Sequence, residues 1–196
     1  ARTTAGGALM RLLIASDLHG SPERAALLRD KARALHPDLL VLLGDLLYHG
    51  PRNPLPPGYT PRDTVEILRD MGAPVMAVRG NCDAEVDRAI LPFHLAESAW
   101  LFADGLRILA FHGQHLPPEP PFPGVAPGTV VLTGHTHIPM ARTRGDIFHW
   151  NPGSATLPKQ GYPPTYGICE NGEFRVMTLD DQIYLRHNPR VETSDA

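Results

Sequence analysis

Residues 11–20 have the sequence RLLIASDLHG, a short apolar run that stops at an acidic residue and a histidine. An apolar run of this length, bounded by turn residues, is typical of a buried β-strand. Residues 39–45, LLVLLGD, and residues 74–81, PVMAVRGN, have the same form. Each predicted strand therefore ends close to a side chain that can bind a metal ion.

Helical segments follow the first two predicted strands. Ser21-Pro22 indicates one helix start, and Thr60-Pro61 indicates a second helix, which Gly72 closes. This alternation predicts a mostly parallel sheet. The second half instead contains two hairpin signals, Asp104-Gly105 and Asn171-Gly172, each between apolar runs. We therefore predict an α/β fold in which two β-sheets pack face to face with helices outside.

Composition excludes several classes of protein. The chain has 196 residues, with 18 Lys and Arg against 21 Asp and Glu, and a formal net charge of -3. We therefore expect no stable nucleic-acid binding, which depends on neutralising phosphates with basic residues. No apolar run approaches the ~20 residues of a bilayer span, so we expect no membrane association and a cytoplasmic protein. The 2 cysteines do not provide a disulfide scaffold. A homo-oligomer is compatible with the sequence.

The length and patterning indicate one domain. We place a single domain over residues 10–186. Residues 1–9 are small and polar without periodicity, so we interpret them as a flexible leader or an expression remnant. Residues 187–196 are interpreted as a tail.

Seven side chains at the predicted strand ends can act as metal ligands. They comprise two carboxylates, four imidazoles and one amide: Asp17, His19, Asp45, Asn81, His112, His135 and His137. Ligands collect at the carboxyl ends of strands in open α/β sheets, so we expect these groups to converge. Seven donors exceed the needs of one ion and suit two. Oxygen and nitrogen donors without thiolate favour Mn, Fe, Zn or Co over Ca.

The spacing of the ligands predicts a local geometry. In an extended backbone, residues i and i+2 lie on the same side, so Asp17 and His19 would reach one ion. The pair His135 and His137 repeats this spacing.

Single residues of the set also have structural alternatives. Asp17 and Asp45 can be helix N-caps, His112 can be a hydrogen-bonded core histidine, and Asn81 can occupy a left-handed turn position. These alternatives do not explain why the residues occur together in this order.

The motifs together resemble a known family. D-x-H at 17–19, G-D at 44–45, G-N-C at 80–82, His112 and G-H-T-H at 134–137 resemble the signature of the calcineurin-like metallophosphoesterase superfamily. More narrowly, residues 15–20, 43–45, 49–53, 77–83, 134–137 and 148–154 resemble the bacterial YfcE-type phosphodiesterases. The resemblance extends from Met10 to about Leu185. It implies a four-layer αββα sandwich with two mixed sheets and a dinuclear metal site.

The resemblance also implies roles for the ligands. The first ion would be bound by Asp17, His19, Asp45 and His137, and the second by Asp45, Asn81, His112 and His135, so that Asp45 bridges. Two divalent ions are expected, with Mn preferred and Zn, Fe, Ni, Co or Mg as alternatives. The implied reaction is hydrolysis of a small phosphodiester substrate by a hydroxide that bridges the two ions.

Two other functions stay open. One is a phosphomonoesterase or nucleotide pyrophosphatase that uses the same site. The other is a catalytically weak protein-interaction scaffold similar to the retromer subunit Vps29. All seven ligand positions are filled here, which a scaffold without catalysis would not require.

Four further residues are candidates for the reaction. Cys82 occupies the position where many family members have a histidine that is thought to protonate the leaving group. A thiol with an ordinary pKa near 8.5 is a poor general acid, so we expect substrates with acidic leaving groups to react best. Alternatively, Cys82 is a small residue that fills a tight loop. His49, Arg79 and His115 are candidate substrate-binding residues, although Arg79 can equally be an ion-pair partner.

Overall fold

A computed structural model describes residues 3–4, 7–117 and 122–192 of the chain. Its strands are β1 Thr3–Thr4, β2 Gly7–Ala8, β3 Leu12–Ala15, β4 Leu39–Leu42, β5 Val75–Val78, β6 Leu95–Ala96, β7 Ser98–Ala103, β8 Leu106–Phe111, β9 Val130–Leu132, β10 Pro139–Arg144, β11 Ile147–Pro152, β12 Thr165–Glu170, β13 Glu173–Thr178 and β14 Ile183–His187. Its helices are α1 Pro22–Leu35, α2 Pro61–Leu68, α3 Glu85–Ile90 and α4 Pro189–Glu192.

The larger sheet has seven strands in the order β14-β13-β12-β3-β4-β5-β6. The strands from β3 to β6 are parallel, because helical crossovers connect them. On the other side of β3, β12, β13 and β14 each pair antiparallel with the strand beside them. The second sheet has five strands in the order β10-β11-β9-β8-β7. Its three central strands are parallel and its two edge strands close antiparallel hairpins. Both sheets are therefore mixed, and the predicted pair of mixed sheets with flanking helices is confirmed.

The apolar residues of β3 and β4 alternate between two cores. Leu13 and Leu40 point to the layer of α1 and α2, where Leu28 is fully buried. Ile14 and Val41 point to the other sheet. Because both faces of these strands are covered, their sequence is continuously apolar, as is usual for buried parallel strands. The strands are consequently rigid supports for the polar residues that follow them.

The two hairpin predictions are confirmed. Asp104 and Gly105 have φ angles of 52° and 75°, and Asn171 and Gly172 have φ angles of 56° and 77°. Two successive positive φ angles are the requirement of a type I′ turn.

Helix boundaries agree at the start of α1 and differ at the end of α2. Ser21 is the N-cap of α1, and its hydroxyl oxygen accepts a hydrogen bond from the Arg24 N–H. In contrast, α2 ends at Leu68, four residues before Gly72, so the prediction that Gly72 closes it is wrong. Gly72 has a φ of 70° and lies in the connection to β5.

Some structure was not predicted. It includes α3 and β14, and β14 ends at His187, whose Nδ1 accepts a hydrogen bond from the buried Trp150. The residues proposed as a leader include the short pair β1 and β2, and residues 193–196 of the proposed tail lie outside the described residues. The domain boundaries therefore stay predictions. Among the described residues, no helix has the length and apolar character needed to cross a membrane.

Candidate metal centre and active site

The seven predicted ligands converge where the two sheets meet. Asp17, Asp45 and Asn81 follow β3, β4 and β5 of the larger sheet, whereas His112 and His135 follow β8 and β9 of the smaller sheet. The other two ligands each lie two residues further along a loop. The site is thus assembled from the carboxyl ends of five strands, as predicted, and both sheets contribute to it.

The two carboxylates lie side by side among imidazoles. His137 Nε2 is 3.2 Å from Asp17 Oδ1, and His112 Nε2 is 3.4 Å from Asp45 Oδ2. His19 lies between the two carboxylates, with its Nε2 3.7 Å from Asp17 Oδ1 and 3.9 Å from Asp45 Oδ2. In two groups, Asp17 with His19 and His137 and Asp17 with Asp45 and His112, all donor atoms lie within 4.8 Å of one another.

Asn81 completes the second half of the site. Its Oδ1 is 2.7 Å from His135 Nδ1 and 3.1 Å from His112 Nε2. The amide oxygen and two ring nitrogens therefore face a common point next to Asp45. All seven predicted ligands are brought together by the fold.

Backbone carbonyls fix the direction of three imidazoles. The Nδ1 atoms of His19, His112 and His137 lie within hydrogen-bond distance of the carbonyl oxygens of Tyr48, Leu43 and Leu157. A carbonyl can only accept, so each Nδ1 carries the proton and each Nε2 is directed toward the carboxylates. Metal-binding histidines commonly have this second hydrogen bond, which sets the tautomer and the ring orientation.

The chemistry of this donor set fits a divalent cation. Asp17 Oδ1 is fully buried and has no hydrogen-bond partner, which is costly for a carboxylate oxygen unless a cation satisfies it. Burial raises the pKa of Asp17, but the nearby His137, His112 and His19 outweigh burial and lower that pKa to about 2. Asp17 is therefore ionised at neutral pH.

His112 is held in its charged form by the same carboxylates. Burial alone would lower the pKa of His112, yet Asp45 and Asp17 raise it to about 9. A cation would compete with that proton.

The ligand loops have an unusual backbone. Asp17, His19, His135 and His137 have φ angles of 57°, 47°, 65° and 60°, and Asp45 has a φ of 54°. The prediction that an extended backbone places the i and i+2 ligands on one side is therefore wrong, although the pairs do converge. The left-handed conformation costs about 1–3 kcal/mol for a non-glycine residue and persists where surrounding contacts enforce it.

The structure also bears on the structural alternatives for single residues of the set. Neither aspartate is a helix N-cap, since Ser21 caps α1 and no helix starts at the residue after Asp45. Asn81 is not among the residues with positive φ, so it does not occupy a left-handed turn position. His112 is buried and hydrogen-bonded, but its Nε2 faces the carboxylate group.

Asp83 is a site residue that the sequence analysis missed. It is buried, and its carboxylate accepts hydrogen bonds from the backbone N–H groups of Gly80, Asp45 and Leu46 at 2.7, 2.8 and 2.8 Å. It thereby joins the loop after β4 to the loop after β5. The two loops approach so closely that a Cβ at Gly80 would lie 2.1 Å from Asp45 Oδ1. The position of Asp83 two residues after a ligand was the available signal.

The end of β11 and the loop after it support the loops that carry the predicted ligands. Asn151 Nδ2 donates a hydrogen bond to the carbonyl of Gly134 at 2.7 Å, and the Ser154 hydroxyl donates to the carbonyl of Asp17 at 2.9 Å. Both side chains are buried. Their hydrogen bonds hold the backbone of the two left-handed pairs, Asp17 with His19 and His135 with His137, in place.

Comparisons with known proteins agree with this geometry. Residues 10–173 match the model of the calcineurin-like phosphoesterase superfamily domain. The chain belongs to the calcineurin-like phosphoesterase superfamily. It is 42% identical over 179 residues to phosphodiesterase YfcE of Escherichia coli strain K12, covering 90% of this chain and 96% of that protein. It also matches the structure of YfcE, described as a phosphoesterase from E. coli, with a TM-score of 0.85 and 41% identity over 90% of this chain and 98% of the other.

The fold extends to a more distant protein. Vps29 of Entamoeba histolytica, in a structure complexed with Zn²⁺, matches with a TM-score of 0.57 and 22% identity, covering 90% of this chain and 98% of that chain. This likeness concerns the fold alone. The expected family and the YfcE-type relationship are confirmed, and the chain is a phosphoesterase of that type.

Cys82 of this phosphoesterase lies at the edge of the donor set. Its Sγ forms a third group with His19 and Asp45 in which the donor atoms lie within 4.8 Å of one another. Burial and then the negative charge of Asp45 raise the pKa of the thiol to about 12. The side chain is therefore a neutral thiol at neutral pH and an even weaker acid than expected from sequence. It also fills a tight space, since a Cβ at Gly50 would lie 2.9 Å from its Sγ.

The predicted substrate-binding residues are separated by the fold. A cleft of about 810 Å³ in front of the ligands is lined by Arg79, with Tyr48, Arg52, Asn53, Thr136 and Lys159 among the further lining residues. His49 does not line this cleft, because its ring packs against Tyr48 and Tyr59 with centroid distances of 4.8 and 5.2 Å. His115 does not line it either. It lies instead on a separate apolar groove beside Leu116 and Phe122.

Proposed function

We propose that this chain is a divalent-metal-dependent phosphodiesterase whose seven ligands hold two ions with Asp45 between them. The observation that supports the proposal most directly is the direction of the imidazoles. Three Nε2 atoms, fixed by backbone carbonyls, face two carboxylates, of which one has a buried oxygen without a partner. Divalent ions bound to such a site supply an activated water and neutralise charge on the phosphate oxygens.

The ligand distances favour two positions. Asp17, His19 and His137 form one set, and Asn81, His112 and His135 form another. Asp45 lies within 3.9 Å of His19 and 3.4 Å of His112, so its carboxylate is placed to serve both sets. We propose Mn²⁺ as the preferred ion, since the seven predicted donors are oxygen and nitrogen atoms.

The remaining residues determine how a substrate is positioned. The phosphate would enter the cleft next to Asn81 and His135, which line its floor. His135 is the more exposed imidazole of the set, and burial, followed by the nearby His112, lowers its pKa. It is therefore neutral at neutral pH and suited to bind a metal ion through a ring nitrogen.

Without a strong acid at Cys82, the leaving group must depart largely unprotonated. Aryl diesters, whose leaving groups are acidic, are accordingly the best expected substrates.

The central test is the variant Asp45→Asn. It should abolish Mn²⁺-dependent hydrolysis of bis(p-nitrophenyl) phosphate while the circular dichroism spectrum stays that of the parent. The matched control is Asp104→Asn, which changes the same chemical group in the β7–β8 turn, at the opposite end of β8 from His112, and should retain activity. Hydrolysis that survives both Asp45→Asn and exhaustive chelation would overturn the proposal. A panel of diester and monoester substrates separates the phosphodiesterase from the phosphomonoesterase alternative.

A further inference from the structure

The cleft in front of the ligands is surrounded by three cationic side chains from three different loops. Arg52 follows β4, Arg79 follows β5 and Lys159 follows β11. Arg79 has partners, because its Nε donates to the carbonyl of Asp83 at 3.2 Å and its Nη1 is 3.7 Å from the Glu97 carboxylate.

Arg52 and Lys159 differ from Arg79. Both side chains are exposed, and within the described ranges neither has a hydrogen bond or an ion pair. The carboxylates that line the cleft do not compensate for them. Asp83 is occupied by backbone N–H groups, and Asp45 faces the imidazoles and the backbone N–H of Cys82. Arg52 and Lys159, here called the rim of the cleft, therefore carry two positive charges that no carboxylate in the described part of the chain pairs with.

A simple phosphodiester would leave the charges of Arg52 and Lys159 unpaired. Its single negative charge belongs at the ligands on the floor, and a cleft of about 810 Å³ has room for far more than one phosphate group. Oriented cations in a concave site attract anions and form charge-assisted hydrogen bonds with phosphate oxygens. Tyr48, which is 42% exposed, adds an aromatic surface to the lining of the same cleft. Such a surface can stack with a base or another flat ring.

We propose that Arg52 and Lys159 form a second anion subsite, and that the preferred substrate is a nucleotide-like phosphodiester with an additional phosphate on its organic group. This inference rests on the proposed function and specifies its substrate class. The reacting phosphate lies at the ligands, the ring lies near Tyr48, and the additional phosphate lies between Arg52 and Lys159.

The test compares two substrates that differ only in one phosphate: the p-nitrophenyl ester of thymidine 5′-phosphate, with and without a 3′-phosphate. The Mn²⁺-loaded protein should show a kcat/KM about tenfold higher for the 3′-phosphorylated ester, mainly through KM, given the modest strength of exposed ion pairs. Calorimetry should show the same preference for thymidine 3′,5′-bisphosphate over thymidine 5′-phosphate, which gives a readout that does not depend on turnover.

Variants of Arg52 and Lys159 test whether these two residues cause the preference for the additional phosphate. The double variant Arg52→Ala with Lys159→Ala should bring both ratios close to one, and Arg52→Lys with Lys159→Arg should restore most of the preference. Arg107→Ala is the matched control, because Arg107 is an exposed arginine on β8 that does not line the cleft, and it should keep the parent ratios.

The outcomes separate the subsite from the proposed function. Equal kcat/KM values for the two esters in the parent protein, or an unchanged ratio in the double Ala variant, would overturn the subsite even if bis(p-nitrophenyl) phosphate is hydrolysed. Equal losses for both esters would also overturn it, since they would indicate general attraction of anions. Preferential binding of the bisphosphate without turnover of any ester would support the subsite and contradict the phosphodiesterase.

Discussion

His149 provides a buried, pH-sensitive group behind the ligand loops. Its Nδ1 is 3.0 Å from Arg144 Nη1, which can only donate, so Nδ1 must accept. Its Nε2 therefore carries the proton and donates to the Thr133 hydroxyl at 2.9 Å. Burial, followed by the charges of Arg144 and Arg142, lowers the pKa of His149 to about 4. Protonation of Nδ1 would break its hydrogen bond with the guanidinium.

This shift makes the stability of the fold depend on pH. The unfolded chain binds the proton with the ordinary pKa of 6.5, so protonation favours unfolding between that value and about 4. The contribution is present above pH 6.5 and is lost as the pH falls. A change from 6.5 to about 4 corresponds to about 3 kcal/mol, most of which is lost by about pH 4.5.

The variant His149→Asn should remove this dependence, because its side-chain oxygen can face Arg144 without titrating. Urea unfolding of the parent and the variant, measured at pH 7, pH 5.5 and pH 4.5, gives the difference in unfolding free energy. That difference should shrink by about 2–3 kcal/mol toward low pH. Ile147→Val is the control, since Ile147 is a buried residue without a titratable group. The loss of unfolding free energy that this variant causes should be the same at all three pH values. Parallel stability curves for the parent and His149→Asn would refute the reasoning.

The remaining predictions concern the loops of the metal centre. Asp83→Asn places an NH₂ group against the backbone N–H donors that the carboxylate now accepts from. The Kd for Mn²⁺, measured by calorimetry, should therefore rise about tenfold or more. The control variant Asp87→Asn in α3 should leave this Kd unchanged. A normal Kd for Asp83→Asn would contradict this role. Gly80→Ala puts a Cβ 2.1 Å from Asp45 Oδ1, and the displaced carboxylate should reduce kcat about a hundredfold; parent-like turnover would show that the loop adjusts. Cys82→His should weaken the dependence of the rate on leaving-group pKa across a series of aryl and alkyl methyl phosphates, and an unchanged slope would exclude the missing acid as its cause.

Much of the fold was predictable because its signals are local. A short apolar run followed by a polar turn defines β3 and β4, and the dipeptides Asp104-Gly105 and Asn171-Gly172 supply the positive φ angles that a type I′ turn needs. The convergence of the ligands followed from the rule that parallel strands present their carboxyl ends at one edge. These inferences need only the order of residues along the chain.

What the sequence did not predict depends on contacts between distant segments. Asp83 is important because it bonds to Asp45 and Leu46, which lie 38 and 37 residues earlier in the chain. The left-handed backbone of the ligand pairs is enforced by Asn151 and Ser154, whose hydrogen bonds reach 17 and 137 residues along the chain. The exclusion of His115 from the cleft likewise depends on the neighbouring Leu116, which packs against Val131 and Ile147 of the smaller sheet.

The position of the ligands at the junction of the two sheets has a mechanical consequence. Asp17, Asp45 and Asn81 are carried by one sheet, whereas His112 and His135 are carried by the other. An ion shared by both groups would add a cross-link between layers that apolar packing and hydrogen bonds such as His112 to Leu43 and Ser154 to Asp17 already join. Binding to the native state alone adds about 2.7 kcal/mol at a free-ion concentration of 100 times Kd. The supply of metal would then govern how long the native sandwich survives as well as how fast it works.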